Sequence, residues 1–381
     1  MDFGFSQEQE LLRSTARKFL ENECTSAFVR ARMEEPAGVT DEFWSKLAEQ
    51  GWLGLVYGEE YGGSGLGFVD LTVLMEEMGR VVMPGPFFAT TLLGGLAIRE
   101  AGSAAQKKEW LTRIASGRAK TTLAWTEPSA RWDAAGVTCK ARESKGGFVL
   151  NGTKLFVLDA HLADALVVVA RTSEGPTPED GTSLFLVPKA TSGVNVKLLP
   201  TMDQTRKLCE VTFKDASVPA DALMGAKGAA WPTLTRVVER ATVALCAEMC
   251  GGAQRVLDMT TEYAKIRIAF GKPIGTYQGV KHRAADMLVD VENAKSLTYY
   301  AAWAVDENAP EAALAASMAK AYVTDAYRKA AGAGIQLHGG IGFTWEHDLH
   351  LFLKRSQLDQ VNFGDGAYHR ERLGTFLRGM L

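Results

Sequence analysis

The chain changes its hydrophobic period twice. From Ser6 to about Leu111 apolar residues recur at helical spacing. Ser6 with Gln9 three residues on forms a capping-box pattern, and Leu12, Ala16, Phe19 and Leu20 then share one face. Asp41 heads a second amphipathic run, "EFWSKLAEQGWLGL", and the glycine-rich loop in "GEEYGGSGLGFVDLTVLMEEMGR" feeds another helix. From about Thr121 to Pro219 the period falls to two. "GFVLNGTKLFVLD" predicts two strands joined across an Asn151-Gly152 turn, and "DALVVVAR", "TSLFLVP", "VNVKLL" and "LCEVTFKDASVP" predict further strands. The polar stretch "RTSEGPTPEDGTS" is a hairpin excursion of little core value. After about Ala229 long helices return: one over "LTRVVERATVALCAEMCGGAQRVLDMTTEYAKIR" and one over "VKHRAADMLVDVENAKSLTYYAAWAVDE". A third covers "PEAALAASMAKAYVTDAYRKAAGAGIQLHGG", with Pro310 suited to its first turn. Alanine-rich helices of this length predict a closely packed four-helix bundle. The pattern is that of an α+β multi-domain chain, divided at 1–119 (helical), 120–225 (β) and 226–381 (bundle).

The totals narrow the function classes. The 381 residues suffice for several structural units, and 46% hydrophobic with 23% charged residues is an ordinary globular balance. A formal net charge of −3 gives no bulk attraction for nucleic acid or a membrane surface. An acidic ligand must therefore be met by local basic groups or helix N-termini. The five cysteines (Cys24, Cys139, Cys209, Cys246, Cys250) are scattered, without CxxC spacing, which argues against a disulfide framework or a metal site. Cys246 and Cys250 are expected as small buried thiols on one helix. The acidic start "MDFGFSQEQELL" lacks the features of a signal or transit peptide, and no apolar run is long enough to span a bilayer, so a cytoplasmic location is expected.

Chemistry enters with five motifs in order: "TEPSARWDAAG", "NGTKLFVLD", "FKDASVPADALMG", "GGAQRVLDMTTEYAKIRIAFGKPIGTYQGVKH" and "QLHGGIGFTWEHDLHLFLKR". Together they resemble the acyl-CoA dehydrogenase family over essentially the whole chain. The resemblance implies an N-terminal helical domain, a middle β-barrel-like domain and a C-terminal four-helix bundle. It also implies bound FAD, an acyl-CoA substrate, electron-transfer flavoprotein or a similar acceptor, and a tetramer of identical or mixed subunits. Arg267 with Phe270 resembles the contact to the FAD pyrophosphate, where a guanidinium matches phosphate oxygens with paired donors. Gln278 resembles the glutamine near the adenosine, and Gln336, Gly339 and Gly340 the run lent to a neighbouring subunit's FAD. Taken singly, Arg267 is a solvated helix charge and Gly339-Gly340 a helix cap and turn; the ordered set argues for the cofactor. Trp125 and Thr126 resemble the segment along the flavin edge. Phe156 and Leu158 fall where the family carries a tryptophan and a hydroxyl residue; Phe156 can stack on a flavin, but Leu158 cannot hydrogen-bond to it. Ala269 replaces a frequent threonine. Arg131, Trp132 and Asp133 crowd the thioester arm, with Arg240 a further substrate contact, which favours a branched, cyclic or steroid-derived acyl chain over a short linear one.

The family reaction removes an α-proton with a carboxylate while the β-hydride goes to the flavin. An ungapped register places Phe363 at the position of the base in many members, with Asp365 two residues later. Asp365 between glycines is also a natural turn residue. Other members carry the base on the first bundle helix as a Glu-Arg pair; Glu239-Arg240 lies there, displaced by two residues, roughly 200° around an ideal helix. Glu239 is otherwise an exposed charge pairing with a nearby arginine. Three readings stay open at this point: Glu239 as base, Asp365 as base, or a chain without its own base that completes a partner subunit. An oxygen-using flavin enzyme of the same fold is a further alternative.

Overall fold

The computed structural model describes residues 4–380. The chain runs through helices α1 (Gln7–Glu23), α2 (Ser26–Glu34), α3 (Asp41–Glu49), α4 (Phe68–Arg80), α5 (Gly95–Ala101) and α6 (Ala104–Ala115). Strands follow: β1 (Thr121–Ala124), β2 (Lys140–Ser144), β3 (Gly147–Leu158), β4 (Ala165–Arg171), β5 (Thr182–Pro188), β6 (Val194–Leu199), β7 (Leu208–Pro219) and β8 (Leu223–Met224). Helix α7 (Trp231–Ile266) leads into the hairpin β9 (Ile268–Ala269) and β10 (Lys272–Pro273), then α8 (Gln278–Asp306), α9 (Ala312–His338), α10 (Leu349–Val361) and α11 (Gly366–Met380). These elements form two compact units, both discontinuous in sequence.

One unit comprises residues 1–31, 67–83 and 242–381. Small residues set its packing. A Cβ on Gly79 of α4 would lie 1.9 Å from the Glu248 carbonyl oxygen, and one on Gly251 of α7 would lie 1.8 Å from that of Glu76. The two helices thus cross backbone to backbone, which only glycine permits. Gly252 likewise leaves room for the Tyr327 ring, and Ala315, Ala319, Ala326 and Ala330 line the buried side of α9. Charges drawn into this unit meet partners: Arg355 pairs with Glu248, and Arg17 grips Glu77 with two bonds of 2.9 and 2.7 Å. The start of α1 has the capping box expected from Ser6 and Gln9. Asp306, the last residue of α8, accepts the Phe68 N–H at the start of α4 at 2.8 Å.

The other unit comprises residues 32–66 and 84–241. Its sheet runs β6-β7-β3-β2-β4-β5-β8, with β1 pairing parallel to β4. Strands β4 and β5 show no inside-outside alternation, because almost all of their residues are buried; the core includes Leu150, Val168, Phe185, Val211 and Phe213.

Two expectations need correction. The Asn151-Gly152 pair is not a hairpin turn: β3 passes through it, and the hairpin tip is Lys145-Gly146, with Ser144 opposite Gly147. Cross-strand partners override the local signal. Asn151 exchanges hydrogen bonds with Asp215, donating to its carboxylate at 3.0 Å and accepting its N–H at 2.9 Å, where the register shifts. A Cβ on Gly152 would lie 2.8 Å from Cys139, so the glycine serves a close approach inside the sheet. Pro310 lies ahead of α9 rather than in its first turn, and Glu311 stands at the N-cap position without a side-chain cap bond.

Candidate active site

The segment after β1 turns at Glu127, whose carboxylate is 2% exposed. It accepts from Lys154 Nζ at 2.6 Å, from the Thr138 N–H at 2.9 Å and the Cys139 N–H at 3.0 Å, and from the Thr138 hydroxyl. Lys154 is fully buried in β3 and also donates to the Trp125 carbonyl at 3.1 Å. The Leu155 N–H donates to the Thr126 carbonyl at 2.8 Å. Burial opposes ionisation of Glu127, but the Lys154 ammonium and these donors outweigh it and hold the carboxyl below its ordinary value.

Immediately beyond Lys154 the strand register slips, Phe156 takes a φ of +55°, and its ring is left 47% exposed. Leu158 turns inward, and its carbonyl accepts the Thr122 hydroxyl at 2.7 Å. Trp125, Thr126, Phe156 and Leu158 are thus carried on two segments locked together by the Glu127–Lys154 pair. Both charged residues stand inside the motifs "TEP" and "NGTKLF", yet sequence reasoning passed over them. The available signal was a lysine within an otherwise apolar strand.

The Arg131-Trp132-Asp133 turn is internally satisfied. Arg131 and Asp133 pair at 2.6 Å, and Asp133 accepts the Gly136 N–H at 3.1 Å. The Arg131 hydrogen bond draws the Asp133 carboxyl below its usual range. Trp132 stands edge-on to Trp125 at 5.3 Å, and Trp125 meets Trp231 at 6.1 Å. On the first part of α7, Glu239 is half-buried rather than exposed. Arg240 lies 3.5 Å from Glu100, which Arg99 also holds at 2.9 Å.

In the bundle unit, Arg267 is exposed and precedes a two-residue hairpin tip, Phe270-Gly271, with φ of +52° and +79°. That is the geometry of a type I′ turn, in which phenylalanine is an unusual first residue. The Phe270 ring is 96% exposed and meets Tyr277 edge-on at 6.5 Å, a contact too slight to repay the strain. Gln278 opens α8 and is exposed. Helix α9 ends at Gly339, with φ of +65° and its N–H donating to the Gln336 carbonyl. Gln336, Gly339 and Gly340 are exposed, and a Cβ on either glycine would meet nothing within 4 Å. Gly340 has neither a left-handed φ nor a crowded neighbour within the chain.

Asp365 precedes α11 and caps it, its Oδ1 accepting the Tyr368 N–H at 2.8 Å. All five cysteines are buried and free, and burial pushes the Cys24 and Cys246 thiols up to about 12. Among the described residues no cluster of histidine, cysteine or acidic side chains could hold a metal ion, and no helix is long and apolar enough to cross a membrane.

Comparison with known proteins specifies the class. Residues 6–118, 122–216 and 227–377 match the N-terminal, middle and C-terminal domains of acyl-CoA dehydrogenase. The chain belongs to the acyl-CoA dehydrogenase family of oxidoreductases and has its three-domain fold. It is 33% identical over 352 residues to acyl-CoA dehydrogenase IpdE2 of Mycobacterium tuberculosis, covering 92% of this chain and 91% of that one. Butyryl-CoA dehydrogenase of Megasphaera elsdenii superposes with a TM-score of 0.92 at 26% identity, over 99% of this chain and 100% of the other. A chain of the ChsE4-ChsE5 complex of M. tuberculosis gives 0.89 at 26% identity, over 99% of each.

Proposed function

We propose that this chain binds FAD and catalyses the α,β-dehydrogenation of an acyl-CoA thioester, with Glu239 as the base. The observation that carries the reading is the buried Glu127–Lys154 lock, which holds the Thr126 segment to the strand presenting the half-exposed Phe156 ring. A flavin edge is recognised by that combination, a flat apolar face beside backbone groups of fixed position. FAD bound there would accept the β-hydride, chemistry that belongs to the cofactor. The protein's residues do the rest. Glu239 removes the α-proton, and its half-buried place on α7 limits competing water. Asp365, the alternative carboxylate, caps α11 through its Oδ1.

Arg267 and Phe270 meet the FAD pyrophosphate and Gln278 the adenosine part. Gln336, Gly339 and Gly340 reach a neighbouring subunit's FAD, and their exposure supports this. Arg131, Trp132, Asp133 and Arg240 border the acyl arm and favour a branched, cyclic or steroid-derived chain. The electrons pass to electron-transfer flavoprotein or a similar acceptor, from a homotetramer or heterotetramer in the cytoplasm. The domains run over 1–119, 120–225 and 226–381.

The test is the visible spectrum of the chain expressed alone, followed by titration with a panel of branched, cyclic and steroid-derived acyl-CoA esters. The expected result is a yellow protein bleached by at least one ester, with bleaching slowed about 10²–10⁴-fold in Glu239→Gln and retained in Asp365→Asn. Loss in Asp365→Asn with retention in Glu239→Gln would transfer the role to Asp365. A second reading rests on Leu158, which offers no hydroxyl to a flavin, and on the likeness to a ChsE4-ChsE5 chain: a partner subunit that completes another chain's site. A colourless or unbleachable protein would select it.

A further inference from the structure

The loop between α10 and α11 is strained and held from three sides. Phe363 and Gly364 both have positive φ, +61° and +98°, and Phe363 is buried, so its left-handed backbone needs an outside hold. His369 Nε2 lies 3.1 Å from the Phe363 carbonyl, and Asp365 caps α11. The third hold comes from α9. Lys320 is fully buried, with Nζ 2.8 Å from the Asp359 carbonyl, 3.0 Å from those of Gln360 and Gly364, and 3.3 Å from the Thr324 hydroxyl. Two of these carbonyls belong to the last turn of α10, where a cation is favoured, and the third lies in the loop. An ammonium has three protons for three carbonyls, and a methionine of similar length would leave all three without its donors.

We propose that Lys320 is a positioning residue whose Nζ–H donors set the conformation of the Phe363-Gly364-Asp365 loop without touching substrate. This rests on the reading above in one respect: the resemblance puts Phe363 of this loop at the position of the base in many members, so the loop bears on the reaction by its position while Glu239 supplies the base. The groups facing Lys320 are Cys246 from α7, Asp359 from α10, Asp365 from the loop and His369 from α11. Burial dominates them and brings the Lys320 ammonium down to about 8.

The sign of the resulting pH dependence follows from linkage. An opening of the loop that wets Lys320 restores its ordinary affinity for a proton, so the open state binds more protons than the closed one above pH 8. Opening therefore becomes harder as pH rises. With closed and open values of about 8 and 10.5, protection of the loop should grow about tenfold between pH 7 and 9.

Hydrogen–deuterium exchange of the Gly364, Tyr368 and His369 amides, corrected for intrinsic rates, tests this on the whole chain. Wild-type protection is expected to rise about tenfold over that range. Lys320→Gln, which keeps two donors but does not titrate, should flatten the profile, and Lys320→Met should lower protection on the order of tenfold at pH 7. A wild-type slope that survives in Lys320→Gln, or full protection in Lys320→Met, overturns the proposal. In flavin bleaching, Lys320→Gln should lower the limiting rate and leave the half-saturating acyl-CoA concentration in place; an unchanged rate would remove the positioning role. Exchange needs no flavin, so a colourless chain would sink the functional reading and leave this test intact.

Discussion

Replacing Lys154 with methionine removes one member of an ion pair in which neither partner reaches water: the side chains are 0% and 2% exposed and 2.6 Å apart. Breaking such a pair from one side costs about 3–5 kcal/mol, because the remaining charge stays buried. Glu127 would keep the Thr138 hydroxyl and the Thr138 and Cys139 N–H groups, which places Lys154→Met near the lower figure. Glu127→Gln strands an ammonium whose other acceptor is the Trp125 carbonyl, and belongs near the upper one. The double variant buries no charge. Its loss should fall short of the summed single losses by roughly 2–3 kcal/mol, as expected for directly coupled residues. Urea unfolding at pH 7 reads this as a midpoint shift of about 1 M or more for each single variant.

The pair also has an acid signature. Glu127 is held below its ordinary value of 4.5, so its contribution is present above that pH and is lost as pH falls through the lower, folded value. Lys154→Met should erase that part of the acid slope. A loss below about 1 kcal/mol in Lys154→Met, or strict additivity of the two single variants, would refute the view that this pair locks the two segments together.

Gly251→Ala should destabilise by about 1–3 kcal/mol in thermal unfolding, since its Cβ would sit 1.8 Å from the Glu76 carbonyl oxygen. Gly332→Ala on the exposed side of α9, where a Cβ meets nothing within 4 Å, is the control and should stabilise by about 0.5–1 kcal/mol. His369 is kept neutral by burial, which brings it down to about 3 from 6.5. Its contribution is complete above pH 6.5 and is lost as pH falls toward 3, so His369→Gln should shallow the fall in unfolding free energy across that window.

What was legible in the sequence was whatever a local pattern dictates. The Ser6-Gln9 capping box, the strands β6 and β7 and the long helices α7 to α9 follow from periodicity and end signals confined to a few turns, and β4 and β5 from short continuous apolar runs. The turn-forming character of Asp365 was visible too, and it matures into a helix cap. The failures share a cause: the deciding partner is far along the chain. Asn151-Gly152 has a hairpin's local chemistry, but Asp215 and Cys139 hold it within a strand. Lys154 and Glu127 lie 27 positions apart, and Lys320 finds Gly364 across 44, so neither pairing is written in any window. The Phe270 tip is the reverse case, a motif visible in sequence whose strain finds little compensation within one chain.

The division of the bundle unit into residues 1–31, 67–83 and 242–381 has a consequence for synthesis on the ribosome. Helices α1 and α4 emerge early, but the α7 carbonyls that fit against Gly79 are encoded far downstream. At roughly 5–20 residues per second, translating Pro84 to Ala241 occupies roughly 10–30 s; α1 and α4 can already meet through Arg17 and Glu77, but the face of α4 that fits against α7 waits without its native partner. The intervening unit can meanwhile close most of its sheet. The chain should thus mature from its middle outward, and nascent chains stalled before Thr242 should bind chaperones through the α1 and α4 segments.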